Sequence, residues 1–256
     1  MDFFHTILFV ALIFGAGYLS VFFQKNSKKV LNLLLSFTGA YILAITFLHL
    51  MPTAYSGSAL TASIFILSGF FLQLLLEYLS KGVEHGHMHT HGHSKKSYAL
   101  QVLLGLAIHS LIEGFPLGDG FEGMAHAHHH HHGHDHGHEH SHDHSGFLYW
   151  GILAHHLPAA FALGTLFVTE GFKRIYLIGA LLIFALMTPL GAFTANLFTW
   201  TEEGYRLLIC VVIGAFLHIS TTILFEVDGS GHHHVSPKRL IAILIGLLLA
   251  VLTSMH

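Results

Sequence analysis

Charge and cysteine are both scarce in this chain. Of its 256 residues only 10% are charged, against 53% that are hydrophobic, whereas a soluble domain is typically about 25% charged. So few charges cannot cover a water-exposed surface of this size, so most of the chain must face something other than water. The single cysteine, Cys210, excludes an internal disulfide and any CxxC redox or zinc motif, and its place inside an apolar run reads as packing. The formal charge of −3 is too unevenly placed to identify a partner, and nothing in it points to a nucleic acid. At the N-terminus Asp2 stands where a basic segment would be, and no small-residue cleavage site follows the first apolar run. Phe3–Phe23 is therefore expected to be a retained first helix and not a signal peptide.

Long hydrophobic runs are what the chain has in abundance. They are about 20 residues each, the length that spans a hydrocarbon core of about 30 Å at 1.5 Å per residue. The runs predict an all-α integral membrane protein, a single transmembrane domain over 1–256, with eight transmembrane helices. These are Phe3–Phe23, Leu31–Met51, Ala59–Leu79, Tyr98–Leu117, Phe147–Thr169, Ile175–Phe198, Tyr205–Glu226 and Arg239–Thr253. The basic residues test this division independently. Lys25, Lys28 and Lys29 follow the first helix, Lys81, Lys95 and Lys96 the third, Lys173 and Arg174 the fifth, and Lys238 and Arg239 the seventh. If eight helices alternate, ten of the eleven basic residues fall on one side and only Arg206 on the other. By the positive-inside rule the basic side is the cytoplasm, which puts both termini outside it. The expected location is a cell membrane, or the inner membrane in a bacterium.

Histidine is the other excess, with 27 residues. Five lie in 85–93, twelve in 126–144 and three in 232–234. On the same topology the His-rich loop 84–96 and the triplet His232–His234 are cytoplasmic, and the loop 124–145 faces outward. These segments are Gly-spaced and lack hydrophobic periodicity, so they are expected to be disordered until metal binds. A dense imidazole brush is suited to collecting Zn²⁺, Cu²⁺ or Ni²⁺. An expression tag would not interrupt a chain three times.

The remaining histidines lie in or beside the spans, where an ionisable group is costly and marks a functional site by default. In the fourth helix His109 and Glu113 are four residues apart, so both project from one face and can grip one ion. Alone that spacing is also compatible with an interhelical hydrogen bond. The fifth helix adds His155 and His156, about 100° apart around its axis, so one is expected to face the first pair and the other a cavity or neighbour. Pro116 and Pro158 free the carbonyls of Ile112 and Ala154 beside these residues, which a membrane tolerates where backbone lines a protein cavity. Three imidazoles and one carboxylate suit Zn²⁺ or Fe²⁺ and not Ca²⁺ or Mg²⁺. His49, ending the second helix, reads either as an outward gate ligand or as an interfacial histidine with its tip in water. His218, deep in the seventh helix among hydroxyls, reads as a satisfied core group ahead of a ligand. Glu77, Glu170 and Glu226 lie near span ends and read as boundary residues. Gly, Ala, Ser and Thr recur in helices 2, 6 and 7, as close helix packing requires.

These features together resemble the ZIP (Zrt/Irt-like) metal transporters over nearly the whole chain. Gly39-Ala-Tyr and Phe47-Leu-His49-Leu-Met-Pro52 resemble that family's second helix. His109-Ser110-Leu-Ile-Glu113-Gly114 resembles its HNxxEG pattern, and His155-His156-Leu-Pro158-Ala159-Ala160 its HExPEG pattern. Thr188-Pro189-Leu-Gly191-Ala resembles its E-P-x-G segment, and Gly214-Ala-Phe-Leu-His218 its seventh helix. The resemblance implies a 3+2+3 arrangement in which helices 1, 4, 5 and 6 move against helices 2, 3, 7 and 8. It also implies a homodimer in the lipid bilayer and passive or secondary passage of Zn²⁺, or of Fe²⁺, Mn²⁺ or Cd²⁺, toward the cytoplasm. The metal is then substrate and no cofactor is required. Carried over by position, His109, Glu113 and His155 are ligands, with His49 near the same ion. Many members hold a second metal through four further oxygen ligands, and here those positions are Ser110, His156, Ala159 and Thr188. The expectation is a mononuclear site in which His156 offsets a lost carboxylate, with Ser110 and His218 as weaker candidates.

Other classes fit less well. A cation diffusion facilitator exporter normally has six spans with cytoplasmic termini, against the placement of the basic residues. An intramembrane zinc hydrolase could take His109, His155 and His156 as ligands with Glu113 as base, but HExxH and a nucleophile are missing. A metal sensor would need an output domain.

Overall fold

The computed structural model describes residues 3–23, 27–80, 95–118, 144–225 and 236–254. The His-rich segments 85–93, 126–143 and 232–234, and Glu226, lie outside the described residues. Helix is the only regular structure among those described. The helices are α1 (Phe3–Leu19), α2 (Ser27–Ile45), α3 (Ala59–Ser80), α4 (Lys95–Gly114), α5 (His144–Thr169), α6 (Arg174–Ala195), α7 (Glu202–Phe225) and α8 (Pro237–Ser254). Among the described residues six stretches, built on α2 to α7, are long and apolar enough to cross a membrane. α1 is apolar but only 17 residues long, and α8 opens on Pro237, Lys238 and Arg239. The protein is a multi-pass membrane protein.

Its surface has the polarity a bilayer demands. On α3, Leu60, Ile64, Leu67, Phe71, Leu74 and Tyr78 are all exposed, a stripe of large apolar side chains at helical spacing. The same helix turns Ala62 and Gln73 inward. A water-soluble helix would carry the opposite pattern; here the bulky face meets lipid and the small residues meet protein.

Small residues set how closely the helices approach. A Cβ on Gly69 of α3 would run into the Val211 backbone of α7, and one on Gly214 of α7 into the Ile66 carbonyl of α3. α4 and α6 cross in the same reciprocal way: Gly114 lies against the Thr188 carbonyl and Gly191 against the Leu111 carbonyl. Gly164 of α5 lies against Gly17 of α1, and Gly246 of α8 against the Phe37 carbonyl of α2. Lipid supplies no hydrophobic drive for helix association, so these backbone-to-backbone contacts carry it through dispersion. Side-chain hydroxyls within the spans fold back on the carbonyl four residues earlier, as from Thr46 to Ile42 (2.8 Å) and from Ser220 to Phe216 (2.6 Å).

The most extensive packing joins α3 to α7, α2 to α8, α4 to α6 and α1 to α5. α1 also packs on α6, α2 on α7 and α5, and α3 on α4. Arginines fasten α7 and α8 to the helices beside them. Arg206, 3% exposed, donates from Nη1 to the Ala54 carbonyl at 2.6 Å and forks onto Glu203 at 2.8 and 2.6 Å. Arg239 donates to Ser36 Oγ at 2.9 Å and to the Ile223 carbonyl at 2.6 Å, tying α8 to α2 and α7. The lone basic residue on the expected outer side is therefore a structural clamp.

Three local features differ from the sequence reading. α1 ends at Leu19 and not Phe23, because the backbone from Ser20 to Phe23 tightens to bonds three residues back. α6 likewise stops at Ala195, where Trp200 Nε1 caps the Ala195 carbonyl at 2.9 Å. α2 is continued by a π turn, Thr46–Leu50, and an α turn, Met51–Ala54. Pro52 has no N–H for the Leu48 carbonyl, and Met51 N–H reaches back to Thr46 instead.

The glycine crossings make a direct prediction. Gly191→Leu is expected to lower the thermal midpoint of the detergent-solubilised protein by the equivalent of about 1–3 kcal/mol or more, the usual cost of overpacking. Gly179→Leu on the same helix, where a Cβ meets nothing within 4 Å, leaves the midpoint unchanged in the same size-exclusion melting assay.

Candidate metal centre

α4 brings His109 and Glu113 to one face because one turn separates them, and the helix cannot continue far beyond. Pro116 removes the bond to Ile112, and the chain tightens into a 3₁₀ turn over Phe115–Leu117 closed by Gly118 N–H on the Phe115 carbonyl at 3.2 Å. Glu113 is thus one residue from the end of α4, nearer that end than a mid-span position, while His155 and His156 lie near the middle of α5. Pro158 sits inside α5 just after them.

The side chains converge. His109 Nε2 lies 3.1 Å from His155 Nε2 and 3.5 Å from Glu113 Oε1. One ligand atom from each of His109, Glu113 and His155 lies within 4.8 Å of the others. These separations suit a metal: the edge of a tetrahedron with bonds of about 2.0–2.1 Å, as in zinc sites, is about 3.3–3.4 Å. The His109 and His155 rings meet at 88°, with centroids 5.3 Å apart. All three residues are 2% exposed or less. An ionised carboxylate so far from water costs several kcal/mol unless a positive charge is nearby, and a divalent cation among these three atoms would supply it.

His156 faces elsewhere, as the 100° offset from His155 requires. Its ring lies parallel to that of His109, 12° apart with centroids at 5.8 Å. Its Nε2 is 3.1 Å from Ser110 Oγ, which is 2.8 Å from Thr188 Oγ1 of α6. The α4–α6 glycine crossing is what allows those two hydroxyls to meet.

The other sequence candidates are not members of the three-residue group. His49 is buried in the π turn, 8% exposed, so it is not an interfacial histidine with a wet tip; π turns recur at functional sites. His218 joins Glu77 of α3, Nε2 to Oε2 at 2.6 Å, and meets the Phe70 ring edge-on at 4.9 Å. Glu77 is therefore more than a span-end residue reaching water: it bonds α3 to α7. Nothing in the local sequence announced that pair, whose members are 141 residues apart.

The fold and this site define a multi-pass helical membrane protein with a buried His/Glu group able to hold a metal ion. No model of a protein family matches the chain, and no curated protein matches it.

The geometry assigns unequal roles that binding will separate. In a full-length chain with serine replacing the loop histidines, one equivalent of Zn²⁺ is expected to bind by calorimetry. His109→Ala or Glu113→Ala lowers affinity by more than the roughly 10–100-fold that loss of an outer partner costs, and His218→Ala leaves it unchanged.

Proposed function

We propose that this protein carries a divalent transition metal ion, Zn²⁺ first among them, across the membrane toward the cytoplasm. The meeting of His109, Glu113 and His155 from two membrane helices at buried positions carries this reading. Ionisable groups held inside a membrane protein mark substrate and ion pathways. Two imidazoles and a carboxylate are a borderline-soft set that favours Zn²⁺, Fe²⁺, Mn²⁺ or Cd²⁺ over Ca²⁺ and Mg²⁺.

The chain is a ZIP-type transporter in this reading, with eight spans, both termini outside the cytoplasm, and a homodimeric assembly. The placement of ten of eleven basic residues supports the orientation. The four closest helix pairs, α3–α7, α2–α8, α4–α6 and α1–α5, each fall within one of the two helix groups, which supports the grouping. The ion binds singly, because Ser110, His156 and Thr188 take up one another's hydrogen bonds and offer no carboxylate for a second metal. The ligands leave a position for water or for an ion still partly hydrated, so release needs few bonds broken. The histidine runs concentrate metal at the two mouths.

Zinc-65 uptake into proteoliposomes tests this function. Wild type is expected to take up zinc saturably, His109→Ala and Glu113→Ala to lose nearly all of it, and cadmium to compete while calcium does not. Uptake by either variant equal to that of wild type would refute the transport role of the site.

A further inference from the structure

His156 is held on every side. Its ring stacks near-parallel with two others, Phe184, 20° from parallel at 5.3 Å, and His109, 12° from parallel at 5.8 Å. Phe9 of α1 closes one edge, at 5.7 Å and 63°. Its exposure is zero.

Both ring nitrogens are engaged as well. Nδ1 is 2.8 Å from the Ile152 carbonyl and 3.7 Å from Glu113 Oε2. A carbonyl only accepts, so Nδ1 bears the hydrogen, and Nε2 of the neutral ring is the acceptor. The shortest contacts are satisfied together when Thr188 donates to Ser110 Oγ (2.8 Å) and Ser110 donates to His156 Nε2 (3.1 Å). To reach an ion held by His109, Glu113 and His155, this imidazole would have to surrender Ser110 or the Ile152 carbonyl and leave the stack. Unmaking a buried hydrogen bond costs about 1–3 kcal/mol per stranded group, and no new space around the ring offsets it.

The geometry points to His156 as a positioning residue of the metal site and not a ligand. It fixes the plane of the His109 ring by stacking and directs its Nδ1–H between the Ile152 carbonyl and Glu113. With Ser110 and Thr188 it forms a neutral clasp across α4, α5 and α6, filling the space beside the ion. This inference rests on the metal-binding reading of His109, Glu113 and His155, and deepens it.

Cobalt tests it, because Co²⁺ visible absorption reports the number and type of donors. The probe is Co²⁺ titrated into the full-length chain with serine at the histidines of 85–93, 126–144 and 232–234. At saturation His156→Gln is expected to keep the wild-type band positions and intensity while affinity falls about 10–100-fold, as for other outer-shell partners. Gln retains a donor and an acceptor, so it should bind Co²⁺ more tightly than His156→Phe, which keeps only the stack. Ser110→Ala, which leaves the imidazole in place, weakens affinity in the same direction with the same spectrum, and it decides the matter should the His156 variants fail to fold. A saturated spectrum of His156→Gln with fewer nitrogen donors overturns the inference, as does unchanged affinity in His156→Gln or Ser110→Ala, or a Phe variant that binds as well as Gln. His109→Ala separates this failure from a deeper one: wild-type Co²⁺ binding without His109 removes the metal site itself.

Discussion

A carboxylate sealed inside an apolar bundle is the constraint around which this protein is organised. Glu113 is 2% exposed, and its carboxylate oxygens lie 3.5 Å from His109 Nε2 and 3.7 Å from His156 Nδ1. Neutral imidazoles do little to offset a buried negative charge. A divalent cation does so well, and the two nitrogens 3.1 Å apart at His109 and His155 complete its surroundings. A metal ion held there would offset the buried charge, as the proposed function requires.

The surrounding helices make such a site possible by giving up bulk. Gly114 and Gly191 let α4 and α6 cross backbone against backbone, and that approach brings Ser110 to Thr188. Gly17 and Gly164 do the same for α1 and α5. The reciprocal contacts of Gly69 and Gly214, with the clamps at Arg206 and Arg239, hold α2, α3, α7 and α8 together.

Much of this was legible in the residues, and the limits are instructive. His109 and Glu113 could be paired from their spacing because the helix itself sets the geometry of positions four apart. The choice between His155 and His156 was open, since it depends on how α5 is rotated, and packing against Phe9 and Phe184 sets that rotation. Ser110 reads from sequence as a weaker ligand candidate and Thr188 as a replaced one; their proximity across α4 and α6 makes them a hydrogen-bonded unit. Glu77 and His218 meet through tertiary packing that no local pattern encodes. The π turn around His49 left one trace, Pro52. The helices were readable in number of residues to within a few positions, except where terminal turns tightened after Leu19 and Ala195.

Zinc K-edge X-ray absorption on the loop-serine chain, loaded with one equivalent of zinc, tests the central claim most directly. The account predicts a first shell of nitrogen and oxygen at about 2.0–2.1 Å, with scattering from two imidazoles that falls to one in His155→Ala. A shell of oxygen alone, or one carrying three imidazoles that is unaltered by removing the side chain at 155, would contradict it.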